Sequence, residues 1–134
     1  HGARAAAARP QPAVKEAAWT TVTEDDALAN ITARSIITGF VEPGQSELLK
    51  PFTERYFAAI PGVWQRRSSE VAQTVVVGLY PSWDISHDAI AAADRFLAGR
   101  DLPPALRRLV VEGRAGVERS LRARRFDADA PEQG

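Results

Sequence analysis

The sequence of 134 residues predicts an all-α fold, and two observations carry that prediction. Apolar residues recur at helical spacing along most of the chain, whereas no segment shows the strict alternation of a half-buried strand. Helix-capping residues or proline precede several of these apolar stripes, and glycine or proline follow them. At this length we expect one helical-repeat domain over residues 1–126 and a disordered polar tail over 127–134.

The composition excludes several classes of protein. The 17 Lys and Arg balance 17 Asp and Glu, so no net charge favours nucleic acid or an anionic membrane as a partner. The absence of cysteine excludes a disulfide framework and a thiolate metal site, and it fits a reducing cytosol. The longest apolar run, 75–80, is far shorter than the roughly 20 residues of a membrane-spanning helix. We therefore expect a cytoplasmic protein with no membrane partner, and the lack of methionine predicts that the chain is a fragment.

Three helices are predicted in the first 40 residues. The alanine-rich residues 4–9 form the end of a helix that stops at Pro10, and Pro12 opens the second helix. Residues 23–26 supply capping side chains and early negative charge for the third. The third helix is predicted to be apolar on two sides, with Ile37 opposite its main apolar face, and therefore to pack between two neighbouring helices. That face comprises Leu28, Ile31, Ile36, Gly39 and Phe40.

Proline, glycine and serine bound the remaining predicted helices. One begins at Pro51 and ends at 61–62, and the next is capped by Ser68 and Ser69. Within the latter, the run 75–77 alone would also suit a strand, but the helical spacing of Val71, Val75 and Leu79 favours a helix. The last two helices begin after Ser86 and at Pro103-Pro104, the second being the longest.

A repeat underlies these helices. Residues 36–40 align with 75–79, and the same offset places Phe57 over Phe96. A period of about 40 residues containing two helices is the length of a HEAT or armadillo unit. The sequence therefore predicts HEAT-like antiparallel helix-pair repeats, a fragment of an α-α superhelix. An irregular helical bundle is the alternative.

The chain lacks the usual catalytic and metal-binding motifs. It contains no His-Glu-x-x-His, no glycine-rich phosphate loop and no Gly-x-Ser-x-Gly, and its two histidines, His1 and His87, cannot form a three-histidine zinc site. Ser86, His87 and Asp88 are adjacent and point in different directions at a helix start, so Ser86 is predicted to be a cap rather than a nucleophile. We predict no catalytic residue and no metal ligand in this chain.

Two groups of arginines are candidates for binding an anionic ligand. Arg66 and Arg67 beside Trp64 could form a clamp for a carboxylate, or they could be ordinary surface ion pairs at a helix start. In the last helix Arg108, Arg119 and Arg122 lie opposite the apolar stripe. That position favours a solvated face over a phosphate-binding one.

Several segments carry a resemblance to a known family, in the same order and over residues 3–127. The sequence resembles the C-terminal helical domain of M1-family zinc aminopeptidases, of the aminopeptidase N type found in actinobacteria. The segments are Ala-Ala-Ala-Arg-Pro ahead of Val-Lys-Glu-Ala-Ala-Trp (ending at Trp19), Gly-Phe-Val-Glu-Pro-Gly-Gln-Ser-Glu-Leu-Leu (39–49), Pro-Phe-Thr-Glu-Arg-Tyr-Phe (51–57), Val-Trp-Gln-Arg-Arg-Ser-Ser-Glu-Val-Ala-Gln (63–73) and Leu-Arg-Arg-Leu-Val-Val-Glu-Gly-Arg-Ala-Gly-Val-Glu-Arg (106–119).

The resemblance implies a non-catalytic domain at the end of a longer cytosolic hydrolase. In that family a separate catalytic domain carries the zinc-binding His-Glu-x-x-His and a Gly-x-Met-Glu-Asn motif, and neither motif occurs here. We therefore expect this chain to be inactive alone and to hold no cofactor. It would cover the catalytic cavity and control the access of peptides, with the catalytic domain of its own parent chain and peptide substrates as partners. Arg66 and Arg67 are the predicted substrate contacts.

Two other readings of the residues remain open at this point. A free-standing HEAT-like scaffold for other proteins would have the same helical pattern. A helical-repeat protein that binds nucleic acid through the last helix is the third possibility, although the balanced charge argues against it.

Overall fold

The computed structural model describes residues 2–99 and 101–129, and within these residues every regular element is a helix. The predicted all-α class is therefore confirmed. The helices are α1 Gly2–Ala7, α2 Pro12–Glu24, α3 Asn30–Phe40, α4 Ser46–Leu49, α5 Phe52–Arg66, α6 Ser69–Gly78, α7 His87–Ala98 and α8 Pro104–Asp129.

The helices pack in two layers. In one layer α3 lies between α1 and α6, and in the other α5 lies between α2 and α7. The contacts of α2 with α3 and of α5 with α6 join the layers, and α8 packs on α7 and α6 at one end. This arrangement buries one apolar stripe of each helix against its neighbours.

Two serine caps start α6 and α7 where the sequence predicts them. The Ser68 hydroxyl accepts a hydrogen bond of 3.3 Å from the Val71 N–H, and the Ser86 hydroxyl accepts one of 3.1 Å from the Ala89 N–H. Each cap satisfies one backbone donor that the first helical turn leaves without a partner. The run 75–77 accordingly belongs to a helix, as predicted.

Aromatic side chains fill the space between the layers. The ring of Trp19 packs at 5.6 Å from Phe40 and 5.2 Å from Phe52, and Phe57 packs at 5.5 Å from Phe96. All five side chains are buried, and burial of each contributes roughly 1.5–3 kcal/mol to stability. The core therefore links α2, α3, α5 and α7.

The predicted repeat corresponds to contacts that recur between units. Gly39 of α3 lies against the Arg4 carbonyl and Ala7 of α1, and Gly78, at the equivalent position of α6, lies against Ile37 of α3. Each glycine thus touches the corresponding helix of the preceding unit. Phe57 and Phe96, which the repeat also aligns, contact each other directly.

The predicted end of α5 at Pro61 is wrong. The helix continues to Arg66 with Pro61 inside it. Proline removes one backbone donor from the helix but does not end it here, because Ile60 and Val63 on either side of it are buried in the core. Tertiary burial outweighs the local preference of the Pro-Gly pair for a turn.

The predicted start of α3 and the predicted burial of Ile31 are also wrong. Residues 23–24 belong to the end of α2, and α3 begins only at Asn30. Ile31 is 77% exposed, whereas Ile37, placed by the sequence on the opposite side, is buried. The predicted packing of this helix between two neighbours is confirmed, because α3 packs against both α1 and α6.

The long α8 extends through 127–129, so the first part of the predicted disordered tail is helical, and the rest of it lies outside the described residues. Over the described part of the chain, no helix combines the length and apolar character needed to cross a membrane.

Candidate functional site

The predicted arginine clamp is engaged within the domain. Arg67 donates a hydrogen bond of 2.7 Å to the Asp26 carboxylate and one of 2.9 Å to the carbonyl oxygen of Val22. Arg66 donates to both oxygens of the same carboxylate at 3.2 Å and to the Thr23 carbonyl at 3.0 Å. The two guanidinium groups therefore bind the C-terminal end of α2, where helix carbonyls lack intrahelical partners.

The two arginines differ in exposure. The side chain of Arg67 is only 2% exposed, whereas that of Arg66 is 45% exposed. Hydrogen bonding from Arg67 lowers the pKa of Asp26, with further lowering by Arg66. Arg67 is thus a structural residue. The contact with a substrate remains a prediction, and of the two arginines only Arg66 is exposed enough to make it.

Trp64 does not extend this basic group. It lines a separate cavity of about 430 Å³ with Leu102, Leu106 and Asp101, between the end of α5 and the start of α8. The arginines instead turn towards α2. The structure therefore separates the aromatic residue from the two arginines that the sequence placed beside it.

Sequence reasoning missed a buried lysine. Lys15 is fully buried, and its ammonium donates to the carbonyl oxygens of Ala7 at 2.8 Å, Phe40 at 3.0 Å and Gly39 at 3.2 Å. Burial lowers the pKa of this lysine, while the charge of Glu42 acts in the opposite direction. The only signal in the sequence is a lysine within an apolar stripe at the start of α2.

A second buried polar group surrounds Asp84. The hydroxyl of Thr53 donates to one carboxylate oxygen at 2.8 Å, and the hydroxyl of Ser86 donates to the other at 2.7 Å. Ser86 thus both caps α7 and orients a buried carboxylate. Its hydroxyl faces Asp84 rather than His87, so the predicted structural role of Ser86 is confirmed.

The described residues do not fit a zinc ion. No group of three or more His, Asp or Glu side chains within residues 2–99 and 101–129 is placed to hold a metal, and the described histidine, His87, is exposed. His1 lies outside the described residues. No chemical step can therefore be assigned to a metal on the described part of this chain.

The arginines of α8 lie on an exposed, ion-paired face. Arg108 pairs with Glu112 at 3.3 Å and Arg122 with Glu118 at 3.2 Å, both along the helix. Arg114 reaches across to Asp94 of α7 at 2.6 Å. These pairs use much of the positive charge of the helix and fit the predicted solvated face.

A groove lies between α3 and α6. It measures about 610 Å³ and is lined by Arg34 and Thr38 from one helix and by Gln73, Val77 and Gly78 from the other. A second cavity of about 410 Å³ shares Val77 and Gly78 and continues towards the ends of the two helices. These two neighbouring cavities are called the α3–α6 groove.

Comparison with known proteins gives a family and a relative. The family described as ERAP1-like C-terminal domain matches residues 1–119. A protein named aminopeptidase N from Streptomyces lividans is 49% identical over 132 residues, which is 98% of this chain but 15% of that relative. The chain therefore spans about 15% of the length of the curated relative that it matches.

The two matches cover nearly the whole chain. A sequence identity of 49% over nearly the whole chain implies a shared fold, and the family model covers the residues from α1 to the middle of α8. This helical chain belongs to the family of ERAP1-like C-terminal domains.

Proposed function

We propose that this chain is the non-catalytic C-terminal helical domain of a zinc-dependent M1 aminopeptidase, which removes N-terminal amino acids from peptides in the cytoplasm. The observation that carries the proposal is the 49% identity to an aminopeptidase N over 98% of this chain. In the longer polypeptide the domain covers the catalytic cavity and limits the access of peptides to it.

The chemistry of the described residues supports a role in access and positioning. The polar side chains of Lys15, Asp84 and Asp26 are hydrogen-bonded within the fold. The two hydroxyls that donate to Asp84 belong to buried Thr53 and to Ser86, which caps α7. A rigid domain of this kind contributes by orienting substrate and by enclosing the site. Zinc, held by the catalytic domain, would supply the activated water.

A peptidase assay tests this proposal. The 134-residue chain and the full-length product of the same gene are compared on amino-acid arylamides and on peptides. We expect no turnover by the chain alone, turnover by the full-length product, and loss of that turnover with a chelator and recovery with zinc. Full-length product that is folded and zinc-loaded but inactive on every N-terminally free substrate would contradict the proposal.

We also propose that Arg66 contacts the distal part of a bound peptide. Its half-exposed guanidinium beside the end of α2 can exchange part of its bonding to Asp26 for a peptide carboxylate. In the full-length enzyme Arg66→Ala should raise KM several-fold for peptides and leave arylamide turnover unchanged, as expected for the loss of remote binding energy. Arg95→Ala, which removes an exposed arginine paired with Glu54, is the matched control.

The outcome on the two substrates separates the possibilities. Equal losses on peptides and arylamides would indicate a folding or docking defect and would contradict a substrate contact. Unchanged kinetics on both would leave Arg66 with the structural role that its bonds to Asp26 and Thr23 already show.

A further inference from the structure

Trp64 differs from the other two tryptophans in the contacts of its ring. The ring of Trp19 packs 5.6 Å from that of Phe40, and the ring of Trp83 packs 5.9 Å from the same phenylalanine. Trp64 is half-buried near the end of α5, and within residues 2–99 and 101–129 its ring has no aromatic or cationic partner and its indole N–H makes no hydrogen bond. This indole therefore keeps accessible surface that the described part of the fold does not use.

The Trp64 indole lines the cavity of about 430 Å³ between the end of α5 and the start of α8, which is called the Trp64–Asp101 cavity. Its apolar lining includes Leu106, which is fully buried, and Leu102, which is half-buried. Its polar lining comes from the exposed side chains of Asp101 and Gln65. Small-molecule sites combine apolar walls with a few polar groups in this way, at volumes of about 300–1,000 Å³.

Another tryptophan of this fold shows what an aromatic ring and a carboxylate bind together. The guanidinium of Arg55 lies over the rings of Phe52 and Trp19, at 4.9 Å and 5.9 Å from their centroids. The same guanidinium pairs with the carboxylate of Glu16. The face of an aromatic ring and a carboxylate are both negative, so together they attract a cation by cation–π interaction and by a charge-assisted hydrogen bond.

The Trp64–Asp101 cavity presents the same two groups without a cation from its own lining. The residues that line it include no lysine, arginine or histidine, and Asp101 forms no ion pair within the described ranges. Arg66 and Arg67, which follow Trp64 closely along the chain, are bound to α2 instead. Arg100, the chain neighbour of Asp101, lies outside the described residues, so its own variant belongs in the test.

We propose that the Trp64–Asp101 cavity binds an organic cation whose ammonium or guanidinium group ends a short apolar stem. The cationic group contacts the indole face and the Asp101 carboxylate, and the stem packs on Leu102 and Leu106. A free small amine or guanidine and the lysine or arginine side chain of a peptide share this chemistry. The inference does not depend on the proposed aminopeptidase function.

Titration with n-butylguanidinium, followed by NMR, tests the proposal. The three tryptophans give three indole N–H signals, and that of Trp64 is the one lost in Trp64→Leu. n-Butylurea is the matched control ligand, since it has nearly the same shape and no charge. We expect butylguanidinium to shift the Trp64 signal saturably and butylurea to bind at least about tenfold more weakly.

Two substitutions test the named groups, with binding measured by calorimetry. Asp101→Asn keeps the size of the side chain and removes its charge, so it should weaken butylguanidinium binding about tenfold. Trp64→Leu removes the aromatic face and should weaken it about fivefold. Asp88→Asn, which removes an exposed carboxylate near the opposite end of α7, is the control and should leave binding unchanged. Circular dichroism confirms that each variant is folded.

Two further titrations identify the source of the cation and extend the test to the longer polypeptide. A blocked peptide of four glycines around one arginine is compared with butylguanidinium. Tighter binding of the peptide would assign the cavity to a peptide side chain, and equal or weaker binding would assign it to a free small cation. In the full-length product the native protein should again bind butylguanidinium about tenfold more tightly than Asp101→Asn, because that difference reports this cavity and no other cation site.

Several results would overturn the proposal. Absence of a saturable shift would remove the site, and equal binding of butylurea would show an apolar pocket without selectivity for charge. Equal binding by Asp101→Asn and the native chain would exclude the carboxylate. Binding that appears only in Arg100→Ala would show that the chain's own arginine occupies the cavity. Equal binding by native and Asp101→Asn full-length product would show that the rest of the polypeptide covers the cavity.

Discussion

The ammonium of Lys15 donates a hydrogen bond of 2.8 Å to the carbonyl oxygen of Ala7, the last residue of α1. The same ammonium also binds the Gly39 and Phe40 carbonyls at the end of α3. Both helix ends present carbonyl groups without intrahelical partners, and both carry the negative end of a helix dipole. One buried cation thus joins the C-terminal ends of two helices of the α1–α3–α6 layer to the start of α2.

Replacement of this lysine should be costly. Lys15→Met keeps the aliphatic part of the side chain but removes the ammonium donor from three carbonyl groups. We expect the free energy of unfolding to fall by about 2–4 kcal/mol, measured by urea denaturation. Lys50→Met, at an exposed position whose ammonium reaches Glu47 at 3.7 Å, is the control and should change it by less than about 0.5 kcal/mol. Equal effects of the two substitutions would contradict the role assigned to Lys15.

The glycines at the helix contacts should not tolerate larger residues. A β-carbon at Gly39 would overlap the Arg4 carbonyl oxygen, and one at Gly78 would lie 2.8 Å from Ile37. We expect Gly39→Leu and Gly78→Leu each to destabilise the chain by at least about 1–2 kcal/mol through overpacking. Gly116→Ala in α8, whose nearest neighbour is an arginine nitrogen at 3.8 Å, should instead stabilise by about 0.5–1 kcal/mol. Thermal denaturation measures all three, and stabilisation at Gly39 and Gly78 would contradict the close approach.

Asp26 should make the stability of the chain sensitive to acid. Its hydrogen bond from Arg67 lowers its pKa in the folded chain below the ordinary value of 3.8. The contribution of Asp26 is therefore present above pH 3.8 and is lost as the pH falls through the lower, folded-state pKa. Between about pH 7 and pH 3 the urea midpoint of the native chain should fall further than that of Asp26→Asn. Parallel curves for the two proteins would show that the pairing contributes nothing.

The two buried tyrosines should make the fold less stable at high pH, whereas Asp26 makes it less stable at low pH. Burial raises the pKa of both Tyr56 and Tyr80, and the Tyr56 hydroxyl donates a hydrogen bond of 2.6 Å to the Val76 carbonyl. The unfolded chain releases these protons near pH 10, so the stability of the fold decreases as the pH rises above that value. Tyrosinate absorbance should appear in one cooperative step together with the loss of helical circular dichroism. Gradual ionisation at the ordinary pKa with intact helices would contradict this.

The exposed arginines of α8 should have little effect on stability and none on nucleic-acid binding. Changing Arg108, Arg119 and Arg122 together to Gln removes two ion pairs along the helix, each worth about 0–1 kcal/mol. Denaturation should therefore shift only slightly. DNA or RNA binding at physiological salt, measured by fluorescence anisotropy, should be weak before and after the change. Tight binding that disappears in the triple variant would instead support the nucleic-acid alternative.

The candidate site shows where sequence patterns were insufficient. The pair Arg66 and Arg67 was visible as a basic group, but its partner Asp26 lies about 40 residues away in sequence and was assigned to a helix cap. Lys15 was invisible for the same reason, since its three carbonyl partners are backbone atoms of other helices. The residue type shows that an arginine or lysine can donate hydrogen bonds. Which acceptor it binds depends on which helix ends the tertiary structure brings next to it.

By itself the sequence determined the all-α class, the serine caps of α6 and α7, and the equivalence of Gly39 with Gly78, because each depends on local preference or on a repeated pattern. Only the tertiary structure decided that α5 passes through Pro61 and that Ile31 is exposed. Burial between layers adds up over many contacts and exceeds the roughly 3 kcal/mol by which a proline disfavours a helix interior. It also decided that glycine stands at the helix contacts of the α1–α3–α6 layer.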